Sequence, residues 1–382
     1  MPVYITDIAA FLPNAPVTDE QMEALLGIVN QLPSRTRKII LRNNRIKSRY
    51  YAIDPITGIT THTNAQLTAE AIRRLRPRPD FTPDEIECLC CGTSSPDQLM
   101  PGHGSMVHGE IKGQACEVMT AAGICTAGMS AMKYAYMSVA SGQSGNAVAT
   151  GSELASSFLR ASLCGQVNHQ HADRIKEQPA IAFEADFLRW MLSDGAGAAF
   201  LTNRPADKGL TLRIDWLDLL SFANTMETCM YAGAVKLDDG TLRGWREQAS
   251  LAGNIDRGSL LIKQDIKLLN REIITTAVER TLPRLIAKHN LRADEFDWFL
   301  PHYSSDYFRG KLQERMEKIG FGIPFERWFT NLATKGNTGA ASIYIILEEL
   351  FHSGRLQKGQ KLLCFIPESG RFSMCYMQLT VV

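Results

Sequence analysis

Short apolar runs alternate with longer amphipathic segments along the whole of this 382-residue chain, and that alternation restricts its fold more than any other feature. Cys88-Leu89-Cys90-Cys91, Ala147-Val148-Ala149-Thr150, Ala196 to Leu201, Trp298-Phe299-Leu300 and Lys361 to Ile366 read as strands apolar on both faces. Such strands belong to sheets covered by helices on both sides. The segments between them supply those helices. Ala131 to Ser141 stops at Gly142; Ala340 to His352 carries Ile343, Ile346, Leu347 and Leu350 at helical spacing and stops at Gly354. The fold class is therefore α/β. A polar, turn-rich passage, Asn203-Arg204-Pro205-Ala206-Asp207-Lys208-Gly209, falls near the middle and suits a division into two halves.

With 45% hydrophobic and 21% charged residues, the chain has the composition of an ordinary globular protein able to fill one large core or two medium ones. A net charge of +1 gives no field for tracking a nucleic-acid backbone. The dense basic cluster Arg73-Arg74-Leu75-Arg76-Pro77-Arg78 suits the solvated end of a helix. Met1-Pro2-Val3-Tyr4-Ile5-Thr6-Asp7 lacks a charged region followed by an apolar one, and no run approaches about 18 uninterrupted apolar residues. Neither a nucleic-acid nor a membrane partner is expected, and a cytoplasmic location is.

Nine cysteines is an odd number, and disulfides do not persist in a reducing compartment. Neither Cys88-Leu89-Cys90-Cys91 nor His169-Gln170-His171 has the paired spacing of a zinc site, so no metal is expected. Cys125 is different. It lies in Ala121-Ala122-Gly123-Ile124-Cys125-Thr126-Ala127-Gly128, small residues opening an amphipathic stretch. A thiol there faces a helix N-terminus, whose unpaired N–H groups and dipole favour a thiolate, and the small neighbours let a carbonyl approach the main chain. Those are the needs of an acyl-accepting nucleophile. A buried structural cysteine is the competing reading.

Two further segments carry chemistry. Asp297-Trp298-Phe299-Leu300-Pro301-His302-Tyr303-Ser304-Ser305 reads as a strand running into a loop that starts with His302, a place where acids and bases are commonly held. Gly336-Asn337-Thr338-Gly339-Ala340-Ala341-Ser342 is a glycine-flanked turn entering a helix. Seen singly, His302 reads as a hydrogen-bonded loop histidine and Asn337 as a helix cap.

Together the three segments resemble the ketoacyl synthase III branch of the thiolase-fold condensing enzymes. The resemblance runs in order through Asn44-Arg45-Ile46-Lys47-Ser48-Arg49, Met100-Pro101-Gly102, the cysteine loop, Ser193-Asp194-Gly195-Ala196-Gly197, Pro301-His302, the Asn337 turn, Gly354-Arg355-Leu356-Gln357-Lys358-Gly359 and Ser369-Gly370-Arg371-Phe372. It implies a layered α-β-α-β-α fold of two similar halves, residues 1–205 with the cysteine and residues 206–382 with the histidine and asparagine, usually as a homodimer. It further implies that Cys125 is acylated by an acyl carrier protein or coenzyme A thioester, with no cofactor. His302 and Asn337 would hold the enolate of a second thioester during a Claisen-type carbon–carbon bond formation. The N–H groups of Cys125 and Gly370 would form the oxyanion hole, and Met100, Glu368 and Phe372 would contact substrate. A cysteine-dependent α/β hydrolase is a rival, but Ala127 stands where a nucleophile elbow has its second glycine. A papain-like protease shares the order Cys, His, Asn in a different local sequence.

This chain also departs from the family pattern. Tyr303-Ser304-Ser305 replaces the usual Gln-Ala-Asn, and Glu368-Ser369-Gly370-Arg371-Phe372 replaces a run of glycines. Glu153, in Gly151-Ser152-Glu153, adds a carboxyl expected near the cysteine; a solvated turn residue or helix cap is its competing reading. These features, with the long passage from Glu153 to Gly195, resemble specialised members that form dialkylresorcinol or cyclohexanedione precursors. Such enzymes join a β-ketoacyl and an α,β-unsaturated thioester at two places, and Glu153 would move the proton that ring closure needs. A chain-initiating ketoacyl synthase III, or an acyltransferase delivering to oxygen or nitrogen, is the alternative within the fold.

Overall fold

The computed structural model describes residues 1–28, 34, 36–162, 187–248 and 261–382; the expectations for His169, His171 and residues 181–186 lie outside the described residues. Nine strands form one mixed sheet: β1 Val3–Phe11, β2 Cys88–Thr93, β3 Glu117–Ala122, β4 Asn146–Glu153, β5 Gly195–Thr202, β6 Leu212–Ser221, β7 Trp298–Pro301, β8 Lys361–Glu368 and β9 Ser373–Val381. Across the sheet they follow the order β7-β8-β9-β6-β1-β5-β4-β2-β3. Each strand candidate read from the sequence falls inside one of them.

The order contains the same motif twice. Outward from the middle, β1 is antiparallel to β5, β5 antiparallel to β4, and β4 parallel to β2. In the other direction β6 is antiparallel to β9, β9 antiparallel to β8, and β8 parallel to β7. The two motifs join through the pairs Val3↔Ile214, Tyr4↔Arg213 and Ile5↔Leu212. Among the described residues only the first has a fifth strand, β3, parallel to β2.

Helices of nine residues or more among the described residues are α1 Asn64–Arg73, α2 His103–Ile111, α3 Ala127–Ser141, α4 Ile266–Ile274, α5 Arg309–Lys318 and α6 Ser342–Phe351. The strand pleat sorts them into layers. Leu89, Cys91 and Val148 face α1 and α2, whereas Cys88, Cys90 and Ala147 face α3. In the second half Leu362, Cys364 and Ile366 face the same central pair, α3 with α6, and Leu363 and Phe365 face α4 and α5. The result is α-β-α-β-α, the layered fold of two similar halves that the sequence implies. Helix α3 begins earlier than its amphipathic stripe suggests and ends at Gly142, whose φ of 80° takes the left-handed conformation glycine allows. Helix α6 is preceded by a tight turn at Gly339–Ala341, so its first residue is Ser342 rather than Ala340.

The two central helices start at one crowded point. A Cβ added to Gly151 at the end of β4 would stand 2.2 Å from the Ala340 carbonyl oxygen, and one on Gly128 in α3 would stand 2.4 Å from the same atom. Backbone cannot swing aside as a side chain can. Gly151→Ala is therefore expected to cost about 1–3 kcal/mol of stability, the usual price of overpacking. A lowered midpoint of guanidinium unfolding would show it, and an unchanged midpoint would mean that the helix starts can part without penalty.

Candidate active site

Cys125 sits in the turn between β3 and α3, with the Ala127 N–H donating to the Ile124 carbonyl at 3.0 Å. Glu368, at the end of β8, holds this turn from the other half. Its Oε2 accepts from the N–H groups of Ile124 at 3.2 Å and Thr126 at 3.1 Å, and from the Thr126 hydroxyl. Cys125 is half-buried where a cavity reaches it. Burial, and after it the charges of Glu368 and Glu153, push its thiol well above the usual range. The helix start was expected to favour a thiolate; it does not, because burial, and after it the charges of Glu368 and Glu153, outweigh what the helix start offers.

His302 follows β7, and its backbone N–H donates to the Phe365 carbonyl at 2.8 Å. Burial lowers its pKa to about 4, so the imidazole is neutral over the physiological range. Tyr303 is buried beside it, and Ser305 caps the following turn by accepting from the Tyr307 N–H at 3.3 Å.

Asn337 is fixed on three sides. Its N–H donates to the Met191 carbonyl at 3.0 Å, its own carbonyl accepts from the Ser193 N–H at 2.8 Å, and Oδ1 accepts from the Gly339 N–H at 3.0 Å. Gly336 makes this possible: it has a φ of +74°, and a Cβ there would stand 2.8 Å from that of Ser193. The carboxamide closes a local turn rather than capping a helix, as one reading of the sequence expected: the residues that precede the tight turn and α6 are Thr338 and Ala341. Because its oxygen is taken, the side-chain NH2 is the end left to meet a ligand.

Glu153 is buried at the end of β4 rather than solvated. Oε2 accepts from the hydroxyls of Ser94 at 2.6 Å and Ser95 at 2.7 Å, and Oε1 from the N–H groups of Ser94 at 3.2 Å and Ala340 at 3.1 Å. Those four donors pull its pKa down, yet burial outweighs them and pushes it up to about 7. The folded protein thus binds a proton that the unfolded chain releases near pH 4.5, and stability associated with this group falls as pH rises from about 4.5 to about 7. Glu153→Gln is expected to raise the melting temperature more at pH 8 than at pH 5. An equal effect at both values would mean that the carboxyl does not titrate in this range.

Cys125, His302, Asn337 and Glu153 all line one cavity of about 320 Å³, with Ser94 and Ser95 beside them and an apolar wall that includes Phe158, Leu188, Leu269 and Ile273. Gly370, Met100, Glu368 and Phe372 do not line it. Gly370 lies against the cysteine turn, a Cβ there standing 2.8 Å from Ile124 Cδ1, while its carbonyl accepts from the Cys229 N–H at 2.8 Å. Met100 is 81% exposed on the surface, and Phe372 is fully buried in the core. Glu368 shares the pleat of Leu362, Cys364 and Ile366, which face α3, so its carboxylate goes to the cysteine turn while Pro367, of opposite phase, lines the cavity. Arg371 also turns away, its Nε donating to the Met226 carbonyl at 2.8 Å.

Sequence reasoning missed the serine cradle and a second polar pair on the wall, Gln264 donating to Ser369 Oγ at 2.7 Å. The serines had a signal, since Ser94-Ser95 directly follows a buried strand of an α/β sheet, where ligands commonly bind. Gln264 had none. Among the described residues no three His, Cys, Asp or Glu are placed to hold a metal ion, and no helix is long and apolar enough to cross a membrane.

The fold is thiolase-like. Residues 286–366 match the family model 3-oxoacyl-[acyl-carrier-protein (ACP)] synthase III C terminal. A β-ketoacyl-[acyl-carrier-protein] synthase III of Chlorobaculum tepidum is 24% identical over 95% of this chain and 94% of its own. Among solved structures, AbyA1, described as a tetronic acid condensing enzyme, superposes with a TM-score of 0.74 at 20% identity over 99% of each chain. Xanthomonas campestris OleA, described with bound lauric acid and lauroyl-CoA, gives 0.71 at 18% identity over 100% of this chain and 99% of its own. The chain is thus thiolase-like in fold and ketoacyl-synthase-III-like in sequence.

Proposed function

We propose that this protein is a condensing enzyme acting on acyl carrier protein or coenzyme A thioesters. The observation that carries the proposal is the convergence of Cys125, His302 and Asn337, from three separate turns, on one largely apolar cavity. In the first half-reaction Cys125 Sγ bonds to the acyl carbon, the carrier's carbon–sulfur bond breaks, and the thiol proton ends on the carrier's sulfur. The N–H group of Cys125 stabilises the oxyanion; Gly370, expected as the second donor, lies against the cysteine turn and is not on the cavity wall. In the second, the α-carbon of another thioester loses a proton or carbon dioxide to become an enolate and attacks the acyl carbon; the bond to Cys125 Sγ breaks, and the sulfur regains a proton, the one lost by the α-carbon or, after decarboxylation, one from water. A neutral imidazole and the free carboxamide NH2 can hold the enolate oxygen without protonating the carbon. With a pKa of about 4, His302 is a weak base, which favours condensation over acyl delivery to oxygen or nitrogen.

Further readings rest on this one. The chain divides at residues 205 and 206, in the turn between β5 and β6, and pairs as a homodimer through β3, an edge strand with partly exposed residues. A cytoplasmic site agrees with eight described cysteines that are all free. Ring closure to a dialkylresorcinol or cyclohexanedione precursor has its support in Glu153, a cavity carboxyl with a pKa of about 7 and so able to exchange a proton near neutrality.

Mass spectrometry of the intact protein after incubation with a panel of acyl thioesters, followed by product analysis with a second thioester, tests the whole. Acylation without any carbon–carbon product would favour the acyltransferase. Glu153→Gln is expected to load Cys125 normally and to lose about 10²–10⁴-fold in cyclisation. Ring product at the normal yield would return Glu153 to a structural role, and a linear product from the wild type would identify a chain-initiating synthase.

A further inference from the structure

Glu368 comes from the C-terminal half and grips the turn that carries the cysteine of the N-terminal half. It is 7% exposed, and the groups it binds belong to Ile124 and Thr126, the residues on either side of Cys125. Its second oxygen lies toward Gly370, where an added Cβ would come within 3.1 Å of it. The opening turn of a helix is a place for one anion. Here a carboxylate fills that place and opposes a second negative charge on the neighbouring sulfur.

We propose that Glu368 is a positioning residue that ties the cysteine turn to the C-terminal half and keeps Cys125 a neutral thiol in the unloaded enzyme. The proposal deepens the reading of Cys125 as the acylated nucleophile. It makes the thiol unreactive toward small electrophiles and couples loss of its proton to arrival of a thioester. The other titratable groups on the cavity wall with Cys125 are Glu153 from β4, His302 and Tyr303 after β7, and Tyr231. Among these, Glu153 adds charge of the same sign as Glu368.

The test is the pH dependence of iodoacetamide alkylation at Cys125 in the full-length protein, followed by peptide mass mapping because other cysteines are present. Glu368→Gln keeps an amide oxygen as acceptor for the turn and removes the charge. It is expected to lower the midpoint by at least about one pH unit, with a roughly tenfold faster reaction at pH 7.5. The shift should persist when Glu153→Gln is the background. Glu368→Ala, which also loses the hydrogen bonds, should lower the midpoint, the melting temperature and the rate of acyl loading together. An unchanged midpoint in Glu368→Gln, or a lower melting temperature in Glu368→Ala without any shift, would make the residue a structural tie alone and overturn the proposal. A shift that vanishes in the Glu153→Gln background would overturn it as well. Failure of the nucleophile assignment shows separately, as acyl mass on Cys125→Ala protein.

Discussion

Cys125→Ala is expected to fold normally and to gain no acyl mass from any thioester that loads the wild type. The substitution exchanges a small side chain for a slightly smaller one at the edge of a cavity, so little packing is lost. What disappears is the atom that forms the thioester. Because the thiol is held neutral by burial and two carboxylates, its reactivity depends on a substrate seated in the cavity rather than on a standing thiolate. No other described cysteine lines the cavity, so none is placed to substitute for it. Intact-protein mass decides the matter: an acylated alanine variant would place the nucleophile elsewhere.

The fold was legible where burial is two-sided. In Cys88-Leu89-Cys90-Cys91 and Leu362-Leu363-Cys364-Phe365 every residue is apolar because successive side chains meet different helix layers, and the run itself signals a covered strand. That Cys125, His302 and Asn337 face one cavity was legible because each lies in a turn at the end of a strand or ahead of a helix, positions set by local sequence. Glu368 was not. Its place beside Ser369 and Gly370 suggested a substrate wall, but the pleat of β8 decides which of two neighbours meets the cavity, and Pro367 has that phase. Phe372 was misread for a related reason: with a φ of 60° it turns the chain tightly and drops its ring into the core, and linear spacing does not show such a turn. Met100, expected at the substrate, is on the surface because the loop after β2 does not fold over this chain's own cavity.

His302→Ala and Asn337→Ala are expected to separate the two half-reactions. Both variants should acquire acyl mass on Cys125, since neither side chain serves the first tetrahedral intermediate, and both should lose carbon–carbon bond formation. Loss of one donor to a developing oxyanion costs about 2.7–4 kcal/mol, or about 10²–10³ in rate. The asparagine is the more informative of the two. Its oxygen is tied to the Gly339 N–H and its backbone to Met191 and Ser193, so alanine removes the exposed NH2 while the backbone ties remain. Asn337→Asp sharpens the test: it keeps the oxygen that accepts from Gly339 and replaces the donor with an acceptor, which should repel an enolate and condense more slowly than the alanine variant. The pH profile adds an independent check. With His302 neutral above about pH 4, the condensation step should show no histidine limb between pH 6 and 8, and any limb near 7 should vanish in Glu153→Gln. Condensation at the normal rate in Asn337→Ala would remove the asparagine from the enolate site, and a limb near pH 6.5 that disappears in His302→Ala would make the histidine a general base, the role that acyl delivery to oxygen or nitrogen needs.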